Sequence, residues 1–374
     1  MVIPYAQPET GAPIARINFL HSFLSGNGFR LEVFAPSKGI AGGTFNGITI
    51  RRFSGFRDFC GKLSVFEPDL VYSSGPPPIF TWYAIIYSKI KRLPVISEAR
   101  DPWVKSKINL GLLKKGTLKE ITHRIFEKYS YKLADRTLTI SAFLRDILAK
   151  EYRLNPEKIS VIEHSVDTGL FKPDKQKGLA LKKKMGIKNE KILIYVGGAW
   201  VGISGMVESL SGLLAEKKTF LLLVLSREKT EKSGEFEKIE KIIRQKKLEK
   251  RIKVLFNLEH GSLPEYLSMA SLGLSVVPEG MDYVTSNKLK EYSACGLPFA
   301  SKCGKKSAHA QIAEEYGAGF TAESWREFPG LIEKALADKK ALEEKGKNAR
   351  RLALKKYSYS SVGKKLAKAI GSLI

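Results

Sequence analysis

The sequence has few cysteines, no metal-binding spacing and no long apolar run. Its three cysteines, Cys60, Cys295 and Cys303, lack C-x-x-C spacing, so we expect free thiols in a reducing compartment, not a disulfide or zinc framework. The five histidines show no H-x-x-H or H-E-x-x-H pattern, so no metal site is expected. The longest apolar stretch, Ile79 to Tyr87, has about half of the ~18 residues that a spanning helix needs. These absences predict a soluble or peripheral protein without a metal cofactor.

Acidic residues are also scarce relative to basic ones. There are 38 Asp and Glu against 63 Lys and Arg, a net charge of +25. A surface of that sign favours phosphate-bearing partners, namely nucleic acid, anionic lipid headgroups or phosphorylated small molecules. No helix-turn-helix, RNA-binding aromatic signature or zinc module is recognisable, and the charge is spread over several segments. We therefore expect no nucleic acid partner.

Short β-rich apolar runs alternate with helical patterns, which predicts an α/β fold with parallel sheets. The 374 residues are enough for two domains, and the lysine-rich segment Lys172 to Lys191 is the best candidate linker. Pro4 interrupts the first strand early, so the natural chain is expected to begin before Met1. The predicted strands are Met1 to Tyr5, Leu31 to Ala35, Leu70 to Ser73, Val95 to Ser97, Leu138 to Ile140, Val161 to Glu163, Ile192 to Val196, Phe220 to Leu225, Val254 to Phe256, Leu274 to Val277 and Phe299 to Ser301.

The most specific local pattern is SNKLKEY, Ser286 to Tyr292, which follows an apolar strand and a loop. Ser286 or Asn287 can cap a helix whose free N–H groups and positive dipole end form an anion site, and Lys288 adds a formal charge. Glu291 lies on the same helix face as Lys288, and its carboxylate can accept hydrogen bonds from the two neighbouring hydroxyls of a ribose. One helical turn is thus predicted to hold a nucleotide. The alternative is a surface Lys–Glu pair on a capped helix.

Extended over residues 286–301, this pattern reads SNKLKEYSACGLPFAS and resembles the donor-binding segment of GT-B glycosyltransferases of the large retaining family four. Other segments resemble the family in the same order along nearly the whole chain. They are PETGAPIAR, PDLVYSSGPPP, SEARDPW, YKLADRTLTISAFLRDIL, HSVDTGLFKP, HGSLPEYLSMASLGLSVVP and NARRLALKKYSYSSVGKKL.

The resemblance implies a GT-B fold, with two Rossmann-like βα domains facing across a cleft. Residues 1–172 would form the N-terminal acceptor-binding domain and residues 173–356 the C-terminal domain that binds the nucleotide-sugar donor. The C-terminal helix, residues 357–374, would pack back on the first domain.

The resemblance also assigns roles to single residues of the donor site. Glu291 would bind the donor ribose, while Ser286, Asn287 and Lys288 would lie by the donor sugar or its phosphates. Gly11 would let the backbone approach the pyrophosphate, because it has no side chain there. An ordinary turn is the alternative at Gly11.

Two departures from the family pattern affect the donor site. The family usually has an arginine and, some residues later, a lysine facing the donor pyrophosphate, but this chain has Gly198 and Ser204 there. The loss of both cations should weaken leaving-group stabilisation. In the E-x7-E pattern the first glutamate is replaced by Tyr283, with Asp282 one step out of register. Three lysines after the next strand are candidates to replace the cations: Lys302, Lys305 and Lys306.

Asp101 and Arg100 directly follow a predicted strand of the first domain. Many relatives have a histidine in place of Arg100, and the RD-x-W form resembles members that act on lipid-linked acceptors. We expect Asp101 to position an acceptor hydroxyl or take its proton, and Arg100 to bind a phosphate. A buried structural Arg–Asp pair is the alternative.

The segment Lys105 to Arg136 has nine Lys or Arg against three acidic residues. A capping box, Thr117-Leu118-Lys119-Glu120, predicts a helix start. The helix would carry apolar residues at spacings of three and four, which could enter a headgroup region while the basic residues meet anionic lipid. A core helix with a solvated basic face is the alternative. The apolar stripe consists of Leu118, Ile121, Ile125, Phe126, Tyr129 and Leu133.

The resemblance and the charge together predict a retaining hexosyltransferase for glycan or polysaccharide biosynthesis. It would move a sugar from a UDP- or GDP-sugar to a hydroxyl of an acceptor, expected to be a lipid-linked saccharide, without a metal or other cofactor. We expect it in the cytoplasm, peripheral on the inner face of the cell membrane. The alternatives are a catalytically silent GT-B protein that binds a nucleotide sugar or a membrane partner, and a sugar-nucleotide epimerase.

Overall fold

The computed structural model describes residues 1–9, 12–198, 202–216, 219–225 and 234–374. Gly11, one of the predicted donor-binding residues, lies outside these ranges. The chain divides into two compact units, which we call unit 1 (Met1–Ser165 with Tyr359–Ile374) and unit 2 (Val166–Ser358).

The strands are short, as expected for parallel sheets with helices on both faces. They are β1 (Glu32–Pro36), β2 (Gly43–Phe45), β3 (Ile48–Phe53), β4 (Val71–Ser74), β5 (Val95–Ala99), β6 (Arg136–Thr139), β7 (Ile159–Val161), β8 (Lys191–Gly197), β9 (Thr219–Leu225), β10 (Ile252–Phe256), β11 (Leu272–Val276), β12 (Phe299–Lys302) and β13 (Gly319–Ala322).

Helices connect most of these strands. They are α1 (Ala12–Ser25), α2 (Phe56–Phe66), α3 (Ile79–Lys91), α4 (Trp103–Asn109), α5 (Leu118–Lys132), α6 (Ala142–Glu151), α7 (Lys175–Lys184), α8 (Ile203–Glu216), α9 (Glu235–Gln245), α10 (Leu263–Met269), α11 (Asn287–Ala294), α12 (Ala308–Tyr316), α13 (Phe328–Ala337), α14 (Lys339–Leu352) and α15 (Tyr359–Gly371). Short 3-10 turns occupy Pro156–Lys158 and His260–Ser262, and a π-helical turn occupies Ala353–Tyr357.

Unit 1 has strands in the order β2-β3-β1 and β4-β5-β6-β7. Val2 joins the two groups, because it forms parallel bridges to both Phe34 and Ser73. β2 pairs antiparallel with β3 around the turn Asn46-Gly47, where both residues have positive φ, a turn that matches the twist of the strands. The other strand pairs of unit 1 are parallel.

The helix α15 packs within unit 1. Its residues Val362, Leu366 and Ile370 are buried in the same core as α1 and β1. Gly363 lies against the ring of Phe23, and a Cβ at this position would stand only 2.1 Å from the ring. A glycine is therefore needed for α15 to approach α1 this closely.

Unit 2 contains one sheet of six strands in the order β10-β9-β8-β11-β12-β13, and every pairing is parallel. Alternate residues of β8 enter two different cores: Ile192 and Ile194 face one, while Leu193 and Tyr195 face the other. The strand is thus buried on both faces, which explains its continuous apolar run. The order is that of the doubly wound dinucleotide-binding folds, with the strand order reversing between β8 and β11.

The predicted α/β class with two Rossmann-like units is confirmed. Three details of the predicted strands were wrong. The strand at Met1 to Tyr5 is reduced to the bridge at Val2, because Pro4 has no N–H to continue the pairing. The strand placed at Val161 to Glu163 lies two residues earlier, at Ile159–Val161, and the Glu163 carbonyl beyond it accepts a hydrogen bond from Arg16. The sequence analysis also missed three strands, β2, β3 and β13.

Within the described ranges, no helix is long and apolar enough to cross a bilayer. In the same part of the chain, no three His, Cys, Asp or Glu side chains are grouped so that they could hold a metal ion.

Candidate functional site

The centre of the unit 2 sheet provides a crevice at the carboxyl ends of its strands. β11 pairs with β8 only from Leu272 to Leu274, while β8 continues to Gly197. The two strands therefore separate where the strand order reverses. Ligands of open α/β sheets bind at this point, and α11 begins just beyond it.

Tyr292 fixes α11 against these two strands. Its ring is fully buried and lies over Gly273, where a Cβ would stand 2.4 Å from the ring. The hydroxyl oxygen accepts a hydrogen bond from the Val196 N–H at 3.0 Å, and the hydroxyl proton can be donated to the Leu274 carbonyl at 3.2 Å. Tyr292 thus satisfies backbone groups where the ladder opens, and it sets the position of the helix. The sequence analysis gave this residue no role.

Lys288, in the first turn of α11, lies beside the end of β8. Its Nζ stands 4.8 Å from the centre of the Tyr195 ring. Gly197 has φ +144°, and a Cβ there would meet Lys288 Nζ at 3.4 Å. Burial lowers the pKa of Lys288 to about 8, although the nearby Glu291 carboxylate opposes the shift. A poorly solvated ammonium at a helix start, next to glycine backbone, is well suited to bind an anionic ligand such as phosphate.

Glu291 lies one turn further along α11 and pairs with His260. Glu291 Oε1 is 3.0 Å from His260 Nε2, and their side chains are 16% and 61% exposed. The hydrogen bond to Glu291 raises the pKa of His260, and the imidazole also packs on Phe171. The sequence analysis gave His260 no role in the site, because it lies 31 residues before its partner.

Ser286 stands at the N-cap of α11, but its side chain accepts no capping hydrogen bond. Its Oγ lies instead 3.2 Å from His309 Nε2. Asn287 is the first residue of the helix. Four of the predicted residues, Ser286, Asn287, Lys288 and Glu291, therefore share the first turns of α11 at the switch point.

Two further predicted donor residues, Gly198 and Tyr283, are buried. Gly198 follows the end of β8, and its carbonyl accepts a hydrogen bond from the Tyr195 hydroxyl at 2.9 Å. Tyr283 lies in the loop between β11 and α11 with 4% of its surface exposed. Asp282, its possible substitute in the E-x7-E pattern, packs against Gly304.

Ser204, which stands in place of the family lysine, is bound to a carboxylate. Glu235 Oε2 accepts hydrogen bonds from the Ser204 N–H at 3.1 Å and from its hydroxyl at 2.8 Å. Lys238 pairs with the other oxygen of Glu235. These contacts lower the pKa of Glu235 against the opposing effect of burial. An internal anion thus lies at the start of α8, where a dinucleotide fold usually binds phosphate.

Two of the three lysines considered as replacement cations have acidic neighbours. Lys302 Nζ lies 3.8 Å from Glu279, and Lys305 Nζ lies 3.1 Å from Glu323. Lys288 therefore remains the best-placed cation for a phosphate at the switch point.

In unit 1, a buried ion pair lies behind the carboxyl ends of β4 and β5. Arg16 and Glu98 are 2.6 Å apart, and both side chains are fully buried. The Ser74 hydroxyl donates to Glu98 at 2.6 Å, and Arg16 also donates to the Tyr72 hydroxyl at 3.2 Å. The sequence analysis missed this network, since its members come from three separate segments.

Arg100 and Asp101 follow β5 at this edge. Arg100 Nε donates to the Gly75 carbonyl at 2.7 Å. Asp101 Oδ1 is buried without a hydrogen-bond partner. Burial raises the pKa of Asp101 to about 6, although Arg100 and a hydrogen bond from Ser106 oppose the shift. A buried carboxylate with a free oxygen and a pKa near neutrality has the properties of a general base.

Glu127 of α5 holds the start of α4 and with it the Asp101 segment. Its fully buried carboxylate accepts hydrogen bonds from the N–H groups of Trp103 and Val104 at 2.7 and 3.0 Å, and from the Tyr152 hydroxyl at 2.6 Å. It thus caps a helix that has no side-chain cap of its own.

Two Rossmann-like units, one with the start of α11 at its switch point and one with a carboxylate after a strand end, are the architecture of GT-B glycosyltransferases. Two family models match the sequence: Glycosyltransferase Family 4 over residues 21–170, and Glycosyl transferases group 1 over residues 179–352. The chain belongs to the group 1 glycosyltransferases, which confirms the family inferred from the motifs.

Solved structures share the fold over essentially the whole chain. Sucrose-phosphate synthase from Thermosynechococcus elongatus has 15% identity and a TM-score of 0.81, covering 100% of this chain and 98% of that chain. HepE of Anabaena in complex with UDP has 17% identity and a TM-score of 0.79, with 100% and 99% covered. WaaG, a glycosyltransferase involved in lipopolysaccharide biosynthesis, has 16% identity and a TM-score of 0.75, with 99% and 98% covered. No curated protein matches the sequence.

Proposed function

We propose that this glycosyltransferase moves a hexose from a nucleoside diphosphate sugar to an acceptor hydroxyl with retention of configuration. The observation that carries the proposal is the first two turns of α11, which place Lys288 and Glu291 together at the switch point of unit 2. Solved HepE structures contain UDP and UDP-glucose, which supports a UDP-sugar as donor, with a GDP-sugar as the other option.

In this proposal, α11 binds both the diphosphate and the ribose of the nucleotide. Lys288 and the free N–H groups at the helix start bind the diphosphate and stabilise its charge as it leaves. Glu291 accepts hydrogen bonds from the ribose hydroxyls, with His260 holding one carboxylate oxygen. No divalent ion is required, because the helix and Lys288 supply the positive charge.

Unit 1 would bind the acceptor, with Asp101 orienting the reacting hydroxyl or taking its proton and Arg100 contacting a phosphate. The leaving phosphate assists deprotonation, so the protein contributes mainly by positioning and charge stabilisation. A phosphate on the acceptor is what a lipid-linked saccharide carries. The two-residue Arg–Asp segment is therefore consistent with an acceptor of that class in glycan biosynthesis.

The surface of α5 supports a location at the cytoplasmic face of an anionic membrane. Leu118, Ile121 and Ile125 are 77%, 48% and 52% exposed, and Tyr129 and Leu133 continue the exposed stripe. The buried residues of α5 are Glu120, Glu127, Ser130 and Tyr131, so most of its aliphatic side chains face outward. On the adjacent α3, Ile86 and Ile90 are exposed too; Trp82 of that helix stacks on Phe126 of α5.

The acidic residues of the segment Lys105 to Arg136 are paired or buried, and of its basic residues Lys105 also pairs with an acid outside it, Glu151, at 2.7 Å. Glu120 pairs with Arg124 at 2.7 Å and Asp135 with Lys89 at 3.1 Å, while Glu127 is buried. Apolar side chains flanked by uncompensated lysines bind the interface of anionic bilayers.

We expect the double change Ile121→Asp and Ile125→Asp to reduce co-sedimentation with phosphatidylserine-containing liposomes at low salt at least about tenfold, because it removes apolar contact and adds negative charge. Leu179→Asp, at an equally exposed leucine of α7 in unit 2, is the control and should change binding little. This location would be contradicted if liposome binding fell equally in both variants. It would also be contradicted if the wild type bound anionic and neutral lipid equally well.

The donor is tested by thermal shift and turnover with a panel of UDP- and GDP-sugars. We expect one donor to stabilise the protein and Glu291→Ala to weaken its affinity about 10- to 100-fold, because a charged acceptor of hydrogen bonds is lost. Glu344→Ala on the exposed face of α14 is the control. If no nucleotide sugar binds, the proposed function is wrong.

A catalytically silent protein is the second candidate, and the Glu235–Ser204 contact favours it. The Glu235 carboxylate lies at the start of α8, where relatives have a lysine that faces the pyrophosphate. The site therefore has less positive charge to stabilise a leaving phosphate. Donor binding without transfer or hydrolysis would support this candidate. Conversion of the donor sugar without any acceptor would instead indicate an epimerase.

A further inference from the structure

A buried histidine connects α11 to the strand beside it. His309, in the first turn of α12, has no exposed surface. Its Nε2 lies 3.2 Å from Ser286 Oγ, and its Nδ1 lies 2.9 Å from Ser301 Oγ on β12. Both ring nitrogens therefore have hydroxyl partners, and the three side chains form one chain of hydrogen bonds from the interior to the start of α11.

A serine within hydrogen-bond distance of a histidine also resembles a nucleophile with its base. The surroundings of His309 argue against that role. Burial and the nearby ammonium groups of Lys288 and Lys290 lower the pKa of His309 to about 3, so the imidazole cannot hold a second proton near neutral pH. The third member is a neutral serine and not a carboxylate, so nothing compensates an imidazolium. His309 is therefore a fixed neutral hydrogen-bonding group.

We propose that Ser301 holds His309 with its proton on Nε2, and that His309 thereby turns the Ser286 hydroxyl proton toward the phosphate of the donor. In this arrangement Ser301 donates to Nδ1, Nε2–H donates to Ser286 Oγ, and the Ser286 hydroxyl is free to donate outward. His309 is a positioning residue in this scheme. The inference rests on the proposed function, since it takes α11 as the donor-binding helix.

The absence of a cap contact at Ser286 supports this orientation. An N-cap serine normally accepts a hydrogen bond from a backbone N–H of the first turn, but the Ser286 side chain accepts none. The helix N–H groups thus stay available for the same anion. The opposite tautomer would make Ser286 donate to Nε2 and leave only oxygen lone pairs toward a phosphate, which would repel it.

Two substitutions at His309 separate its two contacts. The amide nitrogen of glutamine reaches about as far as Nε2, while that of asparagine reaches only to about the place of Nδ1. We expect His309→Gln to keep the affinity for UDP and GDP, measured by calorimetry, within about threefold of wild type. His309→Asn should weaken the affinity for the tighter-binding nucleotide about tenfold, because the Ser286 hydroxyl is no longer turned toward the ligand. Ser286→Ala should have the same effect, because it removes that hydroxyl.

A double-mutant comparison shows whether His309 acts on nucleotide affinity through Ser286 or only stabilises the fold. If His309 acts through Ser286, His309→Asn should have no further effect on nucleotide affinity in the Ser286→Ala background, although it should still lower the melting temperature. Full additivity of the two affinity losses would overturn the inference, as would unchanged affinity of His309→Asn.

The tautomer of His309 can be observed directly by ¹⁵N NMR of the ligand-free protein. The signals of His309 are those that disappear in the His309→Gln variant. A proton on Nε2 supports the inference and a proton on Nδ1 overturns it, whatever binds to α11. If the wild type binds neither UDP nor GDP, the proposed function fails and the inference fails with it. Nucleotide binding by the wild type with no effect of His309→Asn defeats the inference alone.

Discussion

Replacing Lys288 with methionine is expected to lower kcat/KM for the donor sugar by about 10²–10³-fold, the usual loss when a preorganised charge at the leaving group is removed. The effect should be large because, among the described residues, Lys288 is the cation that lies against the end of β8. The family positions at Gly198 and Ser204 carry none, and Lys302 and Lys305 have carboxylate neighbours. Steady-state kinetics with the donor found in the panel would measure the loss.

The same lysine predicts a pH dependence. Burial lowers the pKa of Lys288 to about 8, so the free enzyme loses this charge as the pH rises through 8. Donor affinity should therefore fall above pH 8 in the wild type, and this fall should be absent in Lys288→Met. Lys347→Met, at an exposed lysine of α14, should leave kinetics and pH profile unchanged. If kcat/KM for the donor fell less than about threefold in Lys288→Met, another group would have to bind the diphosphate.

Local sequence patterns were enough to predict the part of the site that lies within one helical turn of α11. The series Ser286 to Glu291 predicted the start of α11 after a buried strand, because side-chain spacing acts over three or four residues, although Ser286 does not cap the helix with its side chain as the pattern suggested. The hairpin at Asn46-Gly47 has an equally local signal, which was overlooked in favour of the parallel pattern.

The partners of these residues could not be predicted, because the fold brings them together from distant segments. His260 meets Glu291 across 31 residues, and His309 meets Ser286 across 23. Their positions depend on where α10 and α12 pack, which hydrophobic pattern alone does not specify. The orientation of the apolar stripe on α5 could not be predicted either. Its spacing fits a core helix and a surface helix equally, and only the exposure of Leu118 and Ile121 distinguishes them.

Asp101→Asn is expected to reduce transfer to the acceptor by about 10²–10⁴-fold, the range for removing a general base, while leaving UDP or GDP affinity within about twofold. The asparagine keeps the size of the side chain and its bond to Ser106 but cannot take a proton. Acceptor-dependent turnover and nucleotide binding would be measured on the same preparation. Asp146→Asn, at an exposed position of α6, is the matched control.

The raised pKa of Asp101 determines both the pH profile and the effect on stability. A base with a pKa of about 6 is protonated below that value, so kcat/KM should rise through pH 6 and level off before Lys288 begins to lose its proton near pH 8. Because folding raises this pKa from 3.8 to about 6, the carboxylate costs stability that grows from about pH 4 and reaches its full size above about pH 6. Asp101→Asn should then melt at the same or a higher temperature at pH 7 while losing activity. A lower melting temperature with activity retained within about threefold would instead identify Asp101 as a structural residue, and the base would have to be sought elsewhere.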